Sequence, residues 1–254
     1  MRTFFVLLLI LLSAGRSSVY AESPEKESER IQMAVEFVSR YVWRGYQLGG
    51  PGFQASVNGE LFGNDSHALE LEAWGYSDLD VSTKEIDFTL SYSFLQRKAA
   101  IRLHNYWYVP ETAQNYFDYK NNSTSHTFEL QFDYTCDLKH DNSLTFMWAS
   151  MVYGNDKKPS SAGNFKQAYS SSFEIKYEGN FLSPKYGCEA SIGFSPWESP
   201  MNYEVEKFSW INAELKVNRS FSLSDDVALT PSVALTVNPA YKDVYVSLGV
   251  AVLF

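Results

Sequence analysis

The sequence predicts an all-β protein: a single transmembrane antiparallel up-and-down β-barrel of 12 strands, with short periplasmic turns and longer extracellular loops. Three observations lead there. Apolar and polar residues alternate at period two through almost the whole chain after Ile31, the spacing of a strand with two unlike faces. An apolar run from Phe4 to Leu12 follows Arg2, and small residues then lead to Val19-Tyr20-Ala21, the layout of a secretory signal peptide. Aromatic residues make up 16% of the chain and charged residues only 20%, against about 25% charged in soluble domains. That mixture suits a wall that faces lipid.

The apolar run of the leader is too short to span a bilayer as a helix, and no later stretch reaches the length such a helix needs. A chain that crosses a membrane without helices must close its strands into a ring, because each backbone polar group needs a partner inside hydrocarbon. The expected organisation is a cleaved leader over 1–21, a charged tether over 22–30 and a barrel over 31–254. The full chain has 254 residues and a net charge of −9. Loss of a 21-residue leader carrying Arg2, Arg16 and no acid leaves 233 residues at −11. So acidic a chain is not a general nucleic-acid binder, since phosphate recognition needs a basic surface. Two cysteines exclude a disulfide-rich scaffold and a Cys-based zinc module. His67, His104, His126 and His140 are scattered and form no metal-ligating pair, so no cofactor or metal is expected.

The strands follow in order. The first sets Ile31, Met33, Val35 and Phe37 against Gln32, Ala34 and Glu36, and is expected to run on through Tyr41 and Trp43 to Gly45. The second sets Phe53, Ala55, Val57 and Leu61 against Gln54, Ser56, Asn58 and Glu60, before a turn at Gly63-Asn64-Asp65. The third sets Leu69, Leu71 and Ala73 against Glu70, Glu72 and Trp74; the fourth sets Ile86, Phe88, Leu90, Tyr92 and Phe94 against Asp87, Thr89, Ser91 and Ser93. In the fifth, Ile101, Leu103, Asn105 and Trp107 oppose Arg102, His104 and Tyr106. In the sixth, Phe128, Leu130, Phe132 and Tyr134 oppose Glu129, Gln131 and Asp133. The seventh carries Leu144, Phe146, Trp148 and Val152 on one face. The eighth sets Phe173, Ile175 and Tyr177 against Ser172, Glu174 and Lys176. The ninth sets Tyr186, Cys188, Ala190, Ile192 and Phe194 against Gly187, Glu189, Ser191 and Gly193. The tenth sets Ile211, Ala213, Leu215 and Val217 against Asn212, Glu214 and Lys216. The eleventh runs from Val227 to Val237 and contains Pro231, which removes a ladder donor and predicts a bulge or a place near the strand's start. The twelfth carries Val244, Val246, Leu248, Val250, Val252 and Phe254.

Strands of about 9–11 residues fit tilted membrane strands. Connections 5–6, 7–8 and 9–10 are long, and connections 2–3, 4–5, 6–7, 8–9 and 10–11 are short, the asymmetry of an outer-membrane barrel. A secreted β-sandwich also alternates. Against it, aromatics gather at strand ends (Tyr41, Trp43, Tyr92, Phe94, Trp107, Tyr134), where interfacial girdles belong.

The segment Val38-Ser39-Arg40-Tyr41-Val42-Trp43-Arg44-Gly45, followed by Pro51 and Gln54, resembles the N-terminal hallmark of the TorF-like porin family of bacterial outer-membrane proteins. Glu70 to Gly75, Glu85-Ile86-Asp87, and Tyr116-Phe117-Asp118-Tyr119 ahead of His126-Thr127-Phe128-Glu129 extend the likeness. It covers roughly residues 35–135 and the rest more loosely. The resemblance implies a barrel in the outer membrane and no tested activity. A terminal Phe254 on an alternating strand resembles the signal read by the bacterial barrel-assembly machinery. The expected partners are that machinery, outer-membrane lipid and lipopolysaccharide, and small solutes.

With apolar residues toward lipid, the alternate positions face the lumen. The candidates are Glu36, Arg40, Glu60, Glu70, Glu72, Asp87, Arg102, His104, Glu129 and Asp133, then Glu174, Lys176, Glu189, Glu214 and Lys216. The last two strands add small residues: Ala228, Ser232, Ala234, Ser247, Gly249 and Ala251. Ten acids against four Arg and Lys favour a wet, cation-attracting lumen. The alternative is a plug of salt bridges, and strand number does not choose between them, since about eight strands enclose a filled interior and about sixteen an open channel. Arg44-Gly45 is expected to serve the top of the first strand, with Arg44 snorkelling to headgroups; a constriction or ligand role for Arg40 or Arg44 is the alternative. His104 reads as a hydrogen-bonded structural histidine. Asp78 and Asp80 read as a solvated acidic loop rather than a divalent-ion site. Pairing of Cys136 with Cys188 stays open.

The expected function is a porin-like channel for passive passage of small solutes, with an acidic lumen. A non-conducting barrel acting as a surface binding or structural protein is the alternative. An outer-membrane lipid enzyme needs a nucleophile and base on one face; no Ser-x-His or His-x-Ser occurs, and His126 with Thr124 is the nearest imitation. The chain is not expected to be an enzyme.

Overall fold

The computed structural model describes residues 31–109, 115–161, 163–181 and 183–254. The expected leader and tether, over 1–30, lie outside the described residues. The described residues form strands, turns and loops, with no helix among them.

Seventeen strands are present among these residues: β1 (Ile31–Val38), β2 (Tyr41–Trp43), β3 (Tyr46–Gly49), β4 (Gly52–Gly63), β5 (Ala68–Asp78), β6 (Lys84–Phe94), β7 (Ala99–Tyr108), β8 (His126–Asp137), β9 (Ser143–Gly154), β10 (Lys157–Pro159), β11 (Phe165–Gln167), β12 (Ser171–Phe181), β13 (Ser183–Ser195), β14 (Ser209–Asn218), β15 (Phe221–Ser222), β16 (Ala228–Asn238) and β17 (Asp243–Leu253). Twelve of them close into one antiparallel ring, in the order β1-β4-β5-β6-β7-β8-β9-β12-β13-β14-β16-β17 and back to β1. The two-residue β15 adds to β16 below the end of β14. Twelve strands in an up-and-down ring is the architecture the alternation predicted. Closure leaves no unpaired edge, the condition for a sheet to stand in lipid.

The faces are inverted relative to a soluble protein. On β6, Glu85, Asp87, Thr89, Ser91 and Ser93 are buried, whereas Ile86, Phe88, Leu90 and Tyr92 are exposed. On β8, Glu129, Gln131 and Asp133 are buried between exposed Leu130, Phe132 and Tyr134. β17 turns Val244, Val246, Leu248 and Val250 outward. An exposed apolar band around a polar interior is stable only when the band meets hydrocarbon. The chain is a β-barrel of the bacterial outer-membrane type.

The long connections, 109–125, 155–170 and 196–208, all leave one end of the ring; β10 and β11 form a small hairpin within the second. The other end carries the turns 64–67, 95–98 and 138–142 and the β12–β13 junction. The connection over 219–227, expected to be short, is the longest at that end. It holds β15 and returns along β16.

The structure corrects four expectations of detail. The first strand does not run to Gly45. It ends at Val38, and the chain then turns inward as a separate hairpin, β2–β3, whose two-residue turn is Arg44-Gly45. Both turn residues have positive φ, 46° at Arg44 and 85° at Gly45, the type of turn that matches strand twist in a tight hairpin. Arg40 consequently lies in the break between β1 and β2, exposed and donating to Gln47 Oε1 at 2.6 Å, rather than on the wall of the first strand. Tyr41 and Trp43 belong to no girdle, because they ride the hairpin into the lumen; Tyr92, Phe94 and Tyr134 do occupy the outer face near the short-turn end. Ile211 is not on the lipid face. A bulge between paired Gly193–Asn212 and Phe194–Trp210 takes it out of alternation, and it is buried with Tyr203 and Val205 against Trp43 and Tyr46.

Pro231 shows no bulge: it pairs in step with Val250 as the fourth residue of β16, near the strand's start. Its carbonyl accepts from the Arg219 amide at 3.1 Å. A strand residue points its nitrogen and carbonyl to the same side, so the missing N–H falls at Arg219-Ser220, the gap between β14 and β15. The neighbouring strand is interrupted where the proline cannot donate.

Candidate functional site

The hairpin β2–β3 crosses the upper lumen and is anchored on the opposite wall. Tyr41 is buried against Tyr76, with ring centres 4.7 Å apart, and against Trp74 at 5.4 Å. Trp43 lies between Tyr106 of β7, at 6.0 Å, and Tyr203 of the 196–208 loop, stacked at 5.8 Å. At the tip, the Arg44 guanidinium donates to both oxygens of Glu129 on β8, at 2.6 and 2.8 Å, and to the Tyr203 hydroxyl at 2.7 Å. Its flat face covers the Trp43 ring at 4.5 Å. Two parallel N–H bonds to one carboxylate form the strong, directional version of an ion pair. Burial pushes the Tyr203 phenol up to about 12, so it remains a neutral partner for the guanidinium.

Gly45 makes the docking possible. A Cβ there would sit 2.0 Å from the Ile211 carbonyl oxygen, so only glycine lets the tip rest on the bulge of β14. Asn238 of β16 donates to the Gly45 carbonyl at 3.1 Å, and the Tyr46 hydroxyl donates to the Tyr203 carbonyl at 2.5 Å. The returning limb is tied by Tyr108 to Leu48 O at 2.9 Å and by Tyr76 to Gly50 O at 2.7 Å. The hairpin therefore joins the β5–β8 wall to the β14–β16 wall.

The sequence-derived candidates divide around it. On the β5–β8 side, Glu70 and Glu72 lie on the inward row of β5 and Asp87 on that of β6, where it accepts weakly from the Trp107 amide at 3.3 Å. Arg102 pairs with Asp133 at 2.7 Å and contacts Ser91. His104 shares a 2.8 Å hydrogen bond with Thr89 and stacks on Tyr106. Glu129 accepts from Arg44 and from the Tyr106 hydroxyl. Glu60 pairs with Arg97 at 2.9 Å near the short-turn end. On the β12–β17 side, Lys176 pairs with Glu178 at 2.8 Å, and Lys216 lies 3.9 Å from Glu189. Glu174 accepts from Asn212, Glu214 from Thr236, and Glu36 from Gln54.

On this second side the hairpin leaves space. A cavity of about 170 Å³ lies between Trp43, Glu174, Lys176, Glu189 and Glu214. Another of about 130 Å³ lies between Glu36, Lys216 and the small residues Ser232, Ala234, Ser247 and Gly249. Val42 lines both.

Sequence reasoning does not reach Tyr203 or Glu85, and it places Asn212 on the inward row of the tenth strand without naming it a candidate. For Arg44 the sequence favours headgroups over a constriction; the signal for its place inside the lumen is Trp43-Arg44-Gly45-Tyr46, a two-residue turn ending in glycine between aromatics. Glu85 is buried on the inward row beside Asp87, one residue ahead of where the fourth strand was expected to begin. Nothing in the alternation marks Tyr203, which comes from a loop. Cys136 and Cys188 are both free. Asp78 accepts from the Thr83 amide and the Ser82 hydroxyl and closes the 79–83 turn. Among the described residues no cluster of three His, Cys, Asp or Glu is arranged for a metal. His126 faces outward, bonded to Asn105 and to the Tyr116 carbonyl beneath Tyr119. The nearby Thr124 hydroxyl accepts from the His126 amide and not from its ring.

No family model matches the chain, and no curated protein matches it. Solved structures do. A membrane protein studied for in-meso crystallization aligns over 88% of this chain and 83% of its own, at 9% identity and a TM-score of 0.52. An outer membrane channel from Pseudomonas putida F1 aligns over 88% and 94%, at 14% identity and a TM-score of 0.46. The KdgM porin aligns over 88% and 98%, at 8% identity and a TM-score of 0.48. The first is a likeness of fold.

Proposed function

We propose that this barrel is a porin-like channel of the outer membrane for passive passage of small polar solutes, narrowed by the inward hairpin and preferring cations. The carrying observation is the pair of cavities that flank Val42 along the β12–β17 wall, each lined in part by charged side chains. The hairpin packs on the β5–β8 wall, and the two cavities lie between it and the β12–β17 wall. Glu36, Glu174, Glu189 and Glu214 would line the passage, with Lys176 and Lys216 offsetting part of their charge. A carboxylate-rich constriction with low-dielectric walls concentrates cations. Glu70, Glu72, Asp87, Arg102, His104, Glu129 and Asp133 would hold the blocked side, and Glu60 would sit near the periplasmic mouth.

The likeness of Val38–Gly45 to the TorF-like porins covers the first limb and turn of this hairpin and supports an outer-membrane barrel. The exposed apolar band would meet lipid and lipopolysaccharide, and the strand ending at Phe254 would engage the assembly machinery. The test is planar-bilayer conductance of the refolded barrel under a potassium chloride gradient. Small discrete steps with a cation-selective reversal potential are expected. A correctly folded barrel that stays silent would overturn the channel and leave a plugged, surface-acting barrel.

A further inference from the structure

We propose that Asp156, on the loop that follows β9, is a positioning residue for the constriction: it holds Tyr203, and through Tyr203 the tip of the hairpin β2–β3. The proposal rests on the reading of that hairpin as the narrowing of a channel.

The starting point is a carboxylate sealed from solvent. Asp156 is 0% exposed, and the groups that donate to it are neutral. Its Oδ1 accepts from the Ser170 hydroxyl at 2.6 Å and from the Asn202 side-chain amide at 2.7 Å. Its Oδ2 accepts from the Ser170 backbone amide at 3.0 Å and from the Gln167 side-chain amide at 3.1 Å. A buried charge is tolerated only when it is hydrogen-bonded. An ionised carboxylate accepts at both oxygens and donates nowhere, and its bonds are about twice as strong as neutral ones. Asp156 therefore clamps two connections together, 155–170 through Gln167 and Ser170, and 196–208 through Asn202.

From there the contacts lead into the lumen. The Ser199 hydroxyl donates to Ser170 Oγ at 2.7 Å and accepts from the Tyr203 backbone amide at 3.1 Å. Ser199 and Val205 exchange backbone bonds of 2.8 and 3.1 Å, which close the segment 199–205 around Tyr203. Ser170, Ser199 and Tyr203 are, like Asp156, sealed from solvent. Tyr203 then meets the hairpin tip on both sides of Gly45. Its hydroxyl accepts from Arg44 at 2.7 Å, its ring stacks on Trp43, and its carbonyl accepts from the Tyr46 hydroxyl.

The 196–208 loop has other ties, Lys158 to Glu198 and Tyr241 to Glu204, but these lie at the surface, where exposed polar and ionic contacts contribute little. The buried route from Asp156 is the one that can fix Tyr203. Glu129 seats Arg44 from the barrel wall; Asp156 seats it from the extracellular loops.

The test is hydrogen exchange of the refolded full barrel in detergent, read beside single-channel conductance, for D156N. The variant keeps the side chain's shape but turns an amide N–H toward groups that need an acceptor. So short a hairpin has little stability away from the wall. Amides of 42–47 should exchange faster by about tenfold or more, with those of β4–β6 unchanged. Conductance should rise, and D156N should add nothing in an Arg44→Ala background, because both changes act on one seat. S199A cuts the link from Ser170 to Tyr203, leaves Asp156 intact, and serves if D156N fails to fold. E198Q removes a surface contact of the same loop and should leave 42–47 unchanged. Unchanged exchange at 42–47 in a folded variant, a rise spread over β4–β6, an equal effect of E198Q, or a full further conductance gain on top of Arg44→Ala would overturn the positioning role. Exchange does not need conduction. A silent barrel whose tip loosens in D156N loses the channel and keeps the positioning role; a conducting barrel whose tip is unmoved loses the positioning role and keeps the channel.

Discussion

Arg44 and Glu129 lie 85 positions apart and are joined across the barrel by two hydrogen bonds of 2.6 and 2.8 Å. This pair holds the tip of β2–β3 against the far wall. Removing one partner of a buried pair costs about 3–5 kcal/mol, since the other charge is left without compensation. The hairpin is not in the ring, so its release need not open the barrel. Arg44→Ala and Glu129→Gln should each raise single-channel conductance and lower the thermal midpoint. Conductance equal to wild type in a folded variant would show that the hairpin does not set the passage.

Gly45→Ala tests the same hairpin without touching charge. The added methyl would meet the Ile211 carbonyl, at a residue whose φ is 85°. The tip should lift off β14 and reproduce the conductance gain of Arg44→Ala. A conductance gain in Arg44→Ala alone would place the effect in the lost charge and not in the hairpin's seat.

Selectivity should follow the β12–β17 wall. Glu174→Gln with Glu214→Gln removes two negative charges beside the cavity and should shift the reversal potential toward non-selectivity. Glu60→Gln, beside Arg97 near the short-turn end, should shift it much less. Equal shifts from both would mean that the field is set by the whole lumen.

His126→Ala should leave conductance unchanged, because the ring faces away from the lumen. Its loss strands the Asn105 side chain and the Tyr116 carbonyl, bonded at 2.8 and 2.6 Å, in a cluster with Tyr119 and Phe128. Both partners belong to half-buried residues, so each orphaned group costs less than the roughly 1–3 kcal/mol of a fully buried one. Thermal unfolding should register that loss, and an altered conductance would contradict the outward placement.

The strands were legible because a barrel wall imposes one rule over its whole length. Ile86, Phe88 and Leu90 must meet lipid while Asp87 and Thr89 must not, and a one-residue slip exchanges the faces. Each strand therefore states its own orientation locally. The rule failed where a local departure was needed. Ile211 sits in a bulge whose extra residue breaks period two, and Arg40 through Gly49 keep an alternating pattern while leaving the wall. A hairpin that packs aromatics inside a barrel shows the same spacing as a strand that packs them against lipid.

What the sequence by itself determined is the ring: alternation set which faces are apolar, and the absence of a spanning helix required closure. Only the tertiary structure decided what fills the ring. The contacts that do so, Arg44 to Glu129, Gly45 to Ile211 and Trp43 to Tyr203, join residues from a hairpin, two strands and a loop that are distant in sequence. Alternation is a property of neighbours along one strand. The filling of a lumen depends on which walls face each other, and that relation exists only once the twelfth strand has closed on the first.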